Sequence, residues 1–494
     1  MKVAVIGAGF GGLALAIRLQ SAGIATTLIE ARDKPGGRAY VWKDQGFTFD
    51  AGPTVITDPA CIDELFALSG RKRADYVDLI SISPFYRLLW EDGTRFDYVN
   101  DQAELDRQIA ATNPADVEGY RRFLKFSEAV YDEGYKRLGH VPFLKIGDML
   151  AAGPQLLGLE AWRSVYDKVS GYVQDDHLRQ ALSFHTLLVG GSPFAASSIY
   201  ALIHALERDG GVWFARGGTN ALVAGLARLF EDLGGRLIVG DAVRQITSEG
   251  GKVTGVVHAN GEAESFDAVA SNADIVHTYG ALLGDTARGK AVARGLKRRR
   301  FSPSLFVVHF GLKTQHPEMA HHTICFGPRY RGLIDEIYGK KGLADDFSLY
   351  VHAPSTTDPS VAPPGCSTYY ALSPVPHLGT APIDWDVEGP RYADRILSYL
   401  EARYIPGLKA DLVTSRIFTP KDFERELNAW QGSAFSLEPI LTQSAWFRTH
   451  NRDDAIPNLY FVGAGTHPGA GVPGVIGSAK ATAGLMIADL GAAP

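Results

Sequence analysis

The chain has 494 residues, 46% of them hydrophobic, and its 49 basic against 55 acidic residues give a formal net charge of −6. This composition excludes a disordered or fibrous protein and gives no indication of a nucleic-acid partner. The cysteines Cys61, Cys325 and Cys366 are far apart and form no CxxC pair, so we expect no disulfide framework, no metal site and a reducing cytoplasm. No uncharged apolar stretch reaches the roughly 18 residues of a membrane-spanning helix.

The first strong pattern is a glycine turn near the N-terminus. Residues 3–6 are apolar and typical of a buried strand, Gly7, Gly9 and Gly12 follow at GxGxxG spacing, and residues 13–20 continue as an amphipathic helix. Gly7 permits the sharp turn, Gly9 lets the backbone approach a diphosphate, and Gly12 lets the helix pack closely on the strand. Free N–H groups at the helix start would face the phosphates. The pattern predicts a dinucleotide site; its alternative is a glycine turn without a ligand.

A second strand and a second glycine turn come next. Residues 24–29 are apolar and end at Glu30, near the offset at which an acidic residue binds the ribose hydroxyls of a dinucleotide. The following turn contains Gly37 and the basic residues Arg32 and Arg38. Either guanidinium group is able to neutralise a diphosphate in a bidentate manner, so we expect this turn to belong to the same site.

A third turn follows a predicted strand at residues 47–49. The run from Asp50 through Gly52 to Pro53 is typical of a rigid turn, and Gly52 would let the backbone approach a flat ring system. Asp50 has two open roles, one beside that ring system and one as the cap of the turn.

The middle of the chain changes from helical to strand-rich character. From about residue 110 to 206 amphipathic segments predict a helical insertion, whose apolar faces form a core or, alternatively, lie on a membrane surface. Strand patterns then occur at 236–239, 242–246, 253–258 and 266–273. We interpret these as strands that return to the doubly wound sheet begun by residues 3–6.

Beyond residue 301 the strand patterns at 304–312, 347–352 and 368–372 predict a second sheet. The basic cluster at residues 297–300 precedes it. Such a cluster is typical of a solvated linker, and contact with anionic lipid headgroups is the alternative.

The C-terminal segment is the second strong pattern. An apolar strand at 459–462 enters a glycine-rich loop at 463–477, and a helix is predicted from about Pro473 to Leu490. The positive N-terminus of this helix would point at the ligand of the loop. If that ligand is an isoalloxazine ring, the helix would stabilise the negative charge of the reduced ring.

With these motifs together, the chain resembles the bacterial and fungal phytoene desaturases, carotenoid enzymes related to the amine-oxidase-type flavoproteins, over nearly its whole length. The resemblance is carried by the N-terminal turn with Glu30 and Arg38, the turn at residues 49–54, and the closing loop at 463–477. It implies FAD as the cofactor. The implied cofactor-binding residues are Gly7, Gly9 and Gly12 at the diphosphate, Glu30 at the adenosine ribose, Gly37 and Arg38 at the phosphate or ribityl region, Gly52 near the ring, Val243 at adenine through its backbone, and Gly465, Thr466 and Val475 at the flavin and ribityl chain.

The expected fold class is α/β, with three parts. A Rossmann-type FAD-binding domain with a doubly wound sheet comprises residues 1–75, 210–290 and 445–494. A mixed β-sheet substrate domain comprises residues 76–105 and 291–444, and an inserted helical, membrane-facing domain comprises residues 106–209.

The resemblance implies an activity: stepwise desaturation of 15-cis-phytoene to lycopene, by hydride transfer to flavin N5 and loss of a proton. A hydrocarbon offers no polar handle, so apolar contact must supply its binding. Asp148, a carboxylate within an apolar stretch, is our candidate for the base. The competing role for Asp148 is the N-cap of a helix that begins near Met149.

The implied partners are a hydrophobic polyene drawn from the membrane, the membrane surface itself, and oxygen or a quinone as electron acceptor. We therefore expect a cytoplasmic protein that is peripherally associated with the cell membrane. Two alternatives are a flavin amine oxidase-like enzyme for small molecules and a non-catalytic FAD-binding lipid carrier. The sequence leaves open the number of desaturation steps, the chain length of the substrate, the acceptor and the oligomeric state.

Overall fold

The computed structural model describes residues 1–339 and 342–491. Its strands are β1 (Lys2–Ile6), β2 (Ala25–Ile29), β3 (Val41–Asp44), β4 (Phe47–Asp50), β5 (Leu79–Ser81), β6 (Tyr86–Trp90), β7 (Arg95–Tyr98), β8 (Trp213–Ala215), β9 (Arg236–Ile238), β10 (Gln245–Glu249), β11 (Lys252–Val257), β12 (Ala263–Ser265), β13 (Ala268–Ser271), β14 (Ser304–Leu312), β15 (His322–Phe326), β16 (Leu349–His352), β17 (Ser367–Val375), β18 (Leu412–Phe418) and β19 (Leu459–Phe461).

Its α-helices are α1 (Phe10–Ser21), α2 (Pro59–Ala67), α3 (Gln102–Thr112), α4 (Asp116–Tyr131), α5 (Ile146–Gly158), α6 (Val165–Ser170), α7 (Asp176–Ser183), α8 (Leu202–Gly210), α9 (Thr219–Asp232), α10 (Ile275–His277), α11 (Ala287–Leu296), α12 (Tyr330–Tyr338), α13 (Trp385–Arg403), α14 (Leu408–Asp411), α15 (Pro420–Leu427) and α16 (Val472–Leu490).

The first sheet is five-stranded, with the order β19-β13-β1-β2-β9, and all its neighbouring strands run parallel. The chain passes from β1 outward through β2 to β9, and later returns on the other side of β1 through β13 and β19. The strand order therefore reverses beside β1. In sheets of this kind ligands bind outside the carboxyl ends of the strands at such a switch point. The predicted doubly wound sheet is present.

Alternate residues of β1 face two different cores. Val3 and Val5 pack with helices α1, α9 and α16. Ala4 and Ile6 point to the opposite face and pack with α10, α11 and strands β10 and β11. This period of two is the geometry of a strand buried on both sides, so β1 is the central strand of a three-layer unit.

The strand patterns at residues 242–246 and 253–258 lie outside the parallel sheet, so our interpretation of them as returning strands is wrong. Strands β10 and β11 pair antiparallel, and β12 adds to β11 to form a separate three-stranded sheet. Gly250 and Gly251, with φ values of 57° and 79°, join β10 to β11. A two-glycine hairpin turn enforces antiparallel pairing, because a parallel return needs a longer crossover. Val243 lies in the irregular segment before β10.

The second sheet has seven strands in the order β18-β14-β17-β16-β15-β6-β7. Strands β15 and β6 run parallel, and the other neighbouring pairs of this sheet run antiparallel. The sheet is therefore mixed, as predicted. It combines strands from the segment before the helical stretch with strands from the segment between β13 and β19.

Helices α3 to α8 fill residues 102–210. No helix in the described part of the chain combines the length and the apolar character that crossing a bilayer requires. Large apolar side chains nevertheless face outward around α5: Leu150 is 70% exposed, Leu157 is 63% exposed, and Trp162 just beyond the helix is 59% exposed. Exposed apolar groups clustered in this way mark an interaction surface more often than scattered single residues do.

The glycine turn after β1 is closed by Gly12. Gly7 has a φ of 93°, which favours glycine, and a Cβ atom at Gly12 would overlap the carbonyl oxygen of Gly7. We expect Gly12→Ala to open this turn and to lower the free energy of unfolding by about 1–3 kcal/mol, the usual effect of overpacking. Thermal unfolding measures the loss of stability, and the amount of flavin that the protein retains reports whether the turn has opened.

The matched control is Gly484→Ala in helix α16, where an added Cβ meets no atom within 4 Å. This variant should keep or slightly raise the melting temperature, because alanine favours helix. Equal melting temperatures and flavin contents for the two variants would contradict the packing role of Gly12.

Candidate functional site

A cavity of about 720 Å³ lies beside the carboxyl ends of β1 and β2. The turn after β1, the loop before α16 and the first turn of α16 line one part of it. Helices of the 102–210 stretch and strands of the mixed sheet line the rest. The cavity therefore joins the two ends of the chain to the two inserted segments.

Gly7 and Gly9 line the cavity, and helix α1 begins just beyond them. The N-cap residue of α1 is Gly9, and no side chain caps this helix. The first N–H groups of a helix need acceptors, and here a ligand in the cavity is placed to supply them. Gly12 lies behind the turn and is not among the described lining residues, in agreement with a packing role.

Asn272 supports this turn and was not identified from the sequence. Its Nδ2 donates a hydrogen bond to the carbonyl oxygen of Gly7 at 3.1 Å. A Cβ atom at Gly11 would lie 2.7 Å from Oδ1 of Asn272 and 3.2 Å from Cα of Gly463. Asn272 directly follows β13, the strand between β1 and β19, so the side chain sits between the two glycine loops.

Glu30 ends β2 and lines the cavity with a buried side chain. Its Oε2 accepts a hydrogen bond from the N–H of Ala8 at 2.7 Å, and its Oε1 accepts one from the N–H of Arg32 at 3.0 Å. Burial raises the pKa of this carboxyl, and the backbone donors oppose the rise. Glu30 thus ties the first glycine turn to the second and stays in reach of a ligand.

Arg38 is a half-buried cation of the site. It lines the cavity, and its Nε donates to the carbonyl oxygen of Ala434 at 2.6 Å. Burial lowers the pKa of the guanidinium, and the nearby carboxyl of Asp274 opposes this shift. Among the described residues, none accepts a hydrogen bond from its Nη groups. A half-buried guanidinium that lines a cavity and has free donors fits an anionic or hydroxyl-rich ligand.

Gly37 and Gly52 also line the cavity. Gly37 has a φ of 54° and packs against Gly9. A Cβ at Gly52 would lie 2.5 Å from the carbonyl oxygen of Arg38. Close packing against the second turn therefore requires glycine at this position, whether or not a ring system lies nearby.

Asp50 serves as a cap, and the helix that it caps is distant in sequence. Its carboxylate accepts hydrogen bonds from the N–H groups of Thr219 at 3.1 Å and Asn220 at 3.4 Å, at the start of α9. Burial raises the pKa of Asp50 to about 6. This contact ties the third turn to helix α9, which packs on the first sheet.

The C-terminal loop divides into residues that face the cavity and residues that face the protein interior. Val475 lines the cavity, as does Val243 from the segment before β10. The N-cap residue of helix α16 is Gly471, and no side chain caps this helix. Its first N–H groups therefore also face the cavity.

Gly465 and Thr466 are not among the described lining residues. The Thr466 hydroxyl is buried, donates to the carbonyl oxygen of Gly463 at 3.0 Å and lies 2.7 Å from the Ser478 hydroxyl. These partners turn Thr466 toward α16, and its neighbours Ala464 and His467 line the cavity instead.

His467 connects the loop to the helical stretch. Its Nε2 lies 2.9 Å from the carbonyl oxygen of Leu138, and its ring packs edge-on against Phe143 at 4.9 Å between centroids. Burial lowers the pKa of His467 to about 4. The imidazole is therefore neutral at physiological pH and donates to the Leu138 carbonyl.

The part of the cavity away from the glycine turns is mainly apolar and aromatic. The side chains that line it include Phe143, Met149 and Leu156 around α5, Ile203 and Leu206 on α8, and Phe326, Tyr330 and Ile334 from the mixed sheet and α12. A long hydrocarbon would gain binding energy here at about 25 cal/mol per Å² of apolar surface removed from water.

One carboxyl group lies in this apolar part. Glu207 on α8 lines the cavity, is fully buried, and accepts a hydrogen bond from the Tyr86 hydroxyl at 2.6 Å. Burial raises the pKa of Glu207 to about 7. No sequence motif points to Glu207, because a single glutamate in a helix has no motif around it.

Asp148 lies in the first turn of α5 and is only partly buried. Its carboxylate accepts a hydrogen bond from the N–H of Lys145 at 3.0 Å as part of a capping box. Asp148 is not among the described residues that line the cavity. The geometry favours the capping role over that of a base, and the helix begins at Ile146.

Three buried histidines, His321, His322 and His352, lie together beside the mixed sheet, with their ligand nitrogens within 4.8 Å of one another. Tetrahedral zinc with bonds of about 2.0–2.1 Å needs nitrogens roughly 3.4 Å apart, so the rings would have to move to bind an ion. The Nδ1 atom of His321 is hydrogen-bonded to the Thr357 hydroxyl at 2.7 Å, and that of His322 to the Tyr350 hydroxyl at 2.7 Å.

Comparison with known proteins agrees with this architecture. Residues 10–487 match the family model described as flavin containing amine oxidoreductase. The chain is 64% identical over 489 residues to a lycopene-forming phytoene desaturase of Pseudescherichia vulneris, covering 99% of each chain. It is 65% identical over 489 residues to the lycopene-forming enzyme of Paracoccus sp. strain N81106, covering 99% of this chain and 98% of that one.

Among solved structures, putrescine oxidase bound to putrescine matches with a TM-score of 0.65 at 15% identity, covering 99% of both chains. At this identity the match concerns the fold alone. The family model and the two close relatives together show that the chain belongs to the flavin-containing amine oxidoreductase family and, within it, to the phytoene desaturases.

Proposed function

We propose that this protein is an FAD-dependent phytoene desaturase that converts phytoene stepwise to lycopene. The observation that carries the proposal is the cavity, which has uncapped helix N-termini and the Arg38 guanidinium at one end and apolar walls along the rest. This division suits a cofactor with a charged diphosphate and a substrate without polar groups. The high identity to two lycopene-forming enzymes supports the same activity.

The residues around the glycine turns fit FAD. The N–H groups at the start of α1 would bind the diphosphate, Glu30 the adenosine ribose, and the backbone near Val243 the adenine. Arg38 would bind the phosphate or ribityl region, with Gly37 and Gly52 allowing the close approach of two turns. When bound, FAD supplies a two-electron acceptor that takes a hydride. The start of α16 and Val475 would border its ring system, where the helix N-terminus stabilises negative charge.

Arg38→Gln tests this placement. The variant loses charged donors that no described protein group replaces, so the dissociation constant for FAD should rise about 10- to 100-fold, equivalent to the 1.5–3 kcal/mol of a hydrogen bond to a charged group. Equilibrium titration of the flavin-depleted protein, followed by flavin fluorescence, measures the change.

The control for Arg38→Gln is Lys34→Gln on the same turn, because the Lys34 side chain is 41% exposed and faces away from the cavity lining. Lys34→Gln should bind FAD as the wild type does. Equal affinities of the two variants would remove Arg38 from the FAD site.

The substrate proposal predicts a product that is seen by eye. Expressed in a cell that accumulates phytoene, the protein should yield red lycopene, and the extracted spectrum reports how many double bonds were added. The same host without the gene should stay colourless.

If the purified, flavin-loaded protein leaves phytoene unchanged but oxidises primary amines, the amine oxidase alternative replaces the proposal. A bound flavin without any substrate-dependent bleaching would indicate the carrier alternative.

We also propose that α5 docks on the membrane and admits the substrate. Leu150 and Leu157 face outward on this helix, whereas Met149 and Leu156 line the cavity, so one helix separates the cavity from the exterior. The basic cluster at 297–300 is linked to α5 through residues 445–447. Arg299 Nη1 donates at 2.7 Å to the carbonyl of Phe447, and the preceding Ala445 and Trp446 pack in one apolar cluster with side chains of α5. Apolar side chains flanked by cations suit the interface of an anionic bilayer. Oxygen or a membrane quinone would then accept the electrons.

The double variant Leu150→Glu/Leu157→Glu tests the docking surface. Each buried leucine contributes about 1.5–3 kcal/mol, so binding to liposomes of anionic lipid should fall at least about tenfold. Flotation of liposomes measures this, and flavin content should not change. Val387→Glu is the control, because Val387 is 47% exposed on α13, outside this surface. Unaltered flotation of the double variant would place the membrane contact elsewhere.

A further inference from the structure

We propose that Glu207 is the base that accepts the proton released when the substrate is desaturated. This assignment rests on the proposed desaturase function and adds to it a residue for the step that follows hydride loss. Glu207 lies on α8, is fully buried, and is among the residues that line the apolar part of the cavity.

One of the two carboxyl oxygens of Glu207 has no hydrogen-bond partner, and the side chain as a whole is fully buried. Oε1 accepts a hydrogen bond from the Tyr86 hydroxyl at 2.6 Å. Oε2 is buried and lies 3.2 Å from Nε2 of His185, without the geometry of a hydrogen bond. An unpaired carboxylate oxygen in an apolar interior is unfavourable unless a positive charge or a proton reaches it. Loss of a hydride from the substrate creates such a positive charge in the cavity.

The groups around Glu207 hold constant charge over the physiological range. His185 and His204 are buried, and burial lowers the pKa of each to about 3, so both rings are neutral. Burial raises the pKa values of Tyr86 and Tyr98 well above that of free tyrosine. Arg208 is the neighbouring cation in the chain. Burial brings the pKa of Glu207 itself to about 7, near the value that suits a general base at neutral pH.

The step balances as follows. When bound, FAD would supply the oxidant that takes a hydride from the substrate carbon beside the polyene, and an allylic cation would remain on the substrate. The C–H bond on the neighbouring carbon then breaks, its electron pair becomes the second bond of the new C=C, and its proton forms an O–H bond with Glu207. The negative carboxylate also stabilises the preceding cation electrostatically. The carboxyl must release this proton before the next desaturation.

The test compares Glu207→Gln with Glu438→Gln in flavin-loaded protein. Glu438 is also buried with its pKa raised to about 7, but it pairs with Arg300 at 2.8 Å and is not among the described cavity residues. Glu207→Gln should keep flavin content and binding of lycopene, measured by quenching of protein fluorescence, and lose turnover of phytoene roughly 10²- to 10⁴-fold. Glu438→Gln should retain turnover.

A second readout does not depend on turnover. In the wild type, the infrared C=O band of protonated carboxyl groups should disappear as the pH rises through about 7. One component of this band should be missing in Glu207→Gln and another in Glu438→Gln. The rate of desaturation by the wild type should rise over the same pH range, because Glu207 must be ionised to accept a proton. Tyr86→Phe should move this rise to higher pH, because it removes a donor to the ionised carboxylate.

The outcomes separate two failures. A wild type that does not desaturate phytoene overturns the proposed function, whatever the variants do. A wild type that is active while Glu207→Gln turns over at a similar rate overturns the assignment of Glu207 alone. If Glu207→Gln loses its flavin, Glu207→Asp and Tyr86→Phe are used instead. The assignment of Glu207 is then overturned if the pH profile of turnover is unshifted in both variants and the wild type has no infrared carboxyl component that titrates near pH 7.

Discussion

The contact between the first glycine turn and the C-terminal loop holds the site together. A Cβ atom at Gly11 would lie 3.2 Å from Cα of Gly463, and a Cβ atom at either glycine would collide with Oδ1 of Asn272, which lies between the two loops. This approach is possible because β13 lies between β1 and β19 in one parallel sheet, and because α1 packs on α16. The start of each helix then faces the same cavity. Two helix N-termini that converge on one ligand favour a long cofactor with a negative charge at more than one point.

The distribution of buried charge divides this cavity into two environments. Arg38, Asp274 and Glu30 are tied to backbone groups at the glycine turns, where hydrogen bonds compensate part of the cost of burial. Glu207 stands apart from them, and its carboxyl group has the Tyr86 hydroxyl and the neutral ring of His185 beside it. A carboxyl group in such surroundings is unfavourable for folding, and strained or under-compensated groups are typical of functional sites. Binding of a neutral polyene leaves this imbalance in place until a cation forms.

The helical stretch has two functions in this arrangement. Its helices supply the apolar wall of the cavity, and α5 carries exposed leucines on its opposite side. His467 anchors the stretch to the C-terminal loop through the carbonyl of Leu138. The cofactor region and the apolar part of the cavity are therefore connected, because a movement of residues 138–143 would displace the loop beside α16.

The sequence by itself determined the nucleotide turn, the acidic residue after β2, the mixed sheet, the helical stretch and the resemblance to one family. These features depend on local spacing, on the period of apolar residues and on glycines that few other residues are able to replace. The family assignment and the flavin were confirmed by comparison with known proteins. Only the tertiary structure decided that β10 to β12 form their own sheet, that Thr466 faces α16, that Asp148 caps a helix, and that Glu207 lies in the cavity. Each of these depends on contacts between residues far apart in the chain, and such contacts leave no periodic pattern in the sequence.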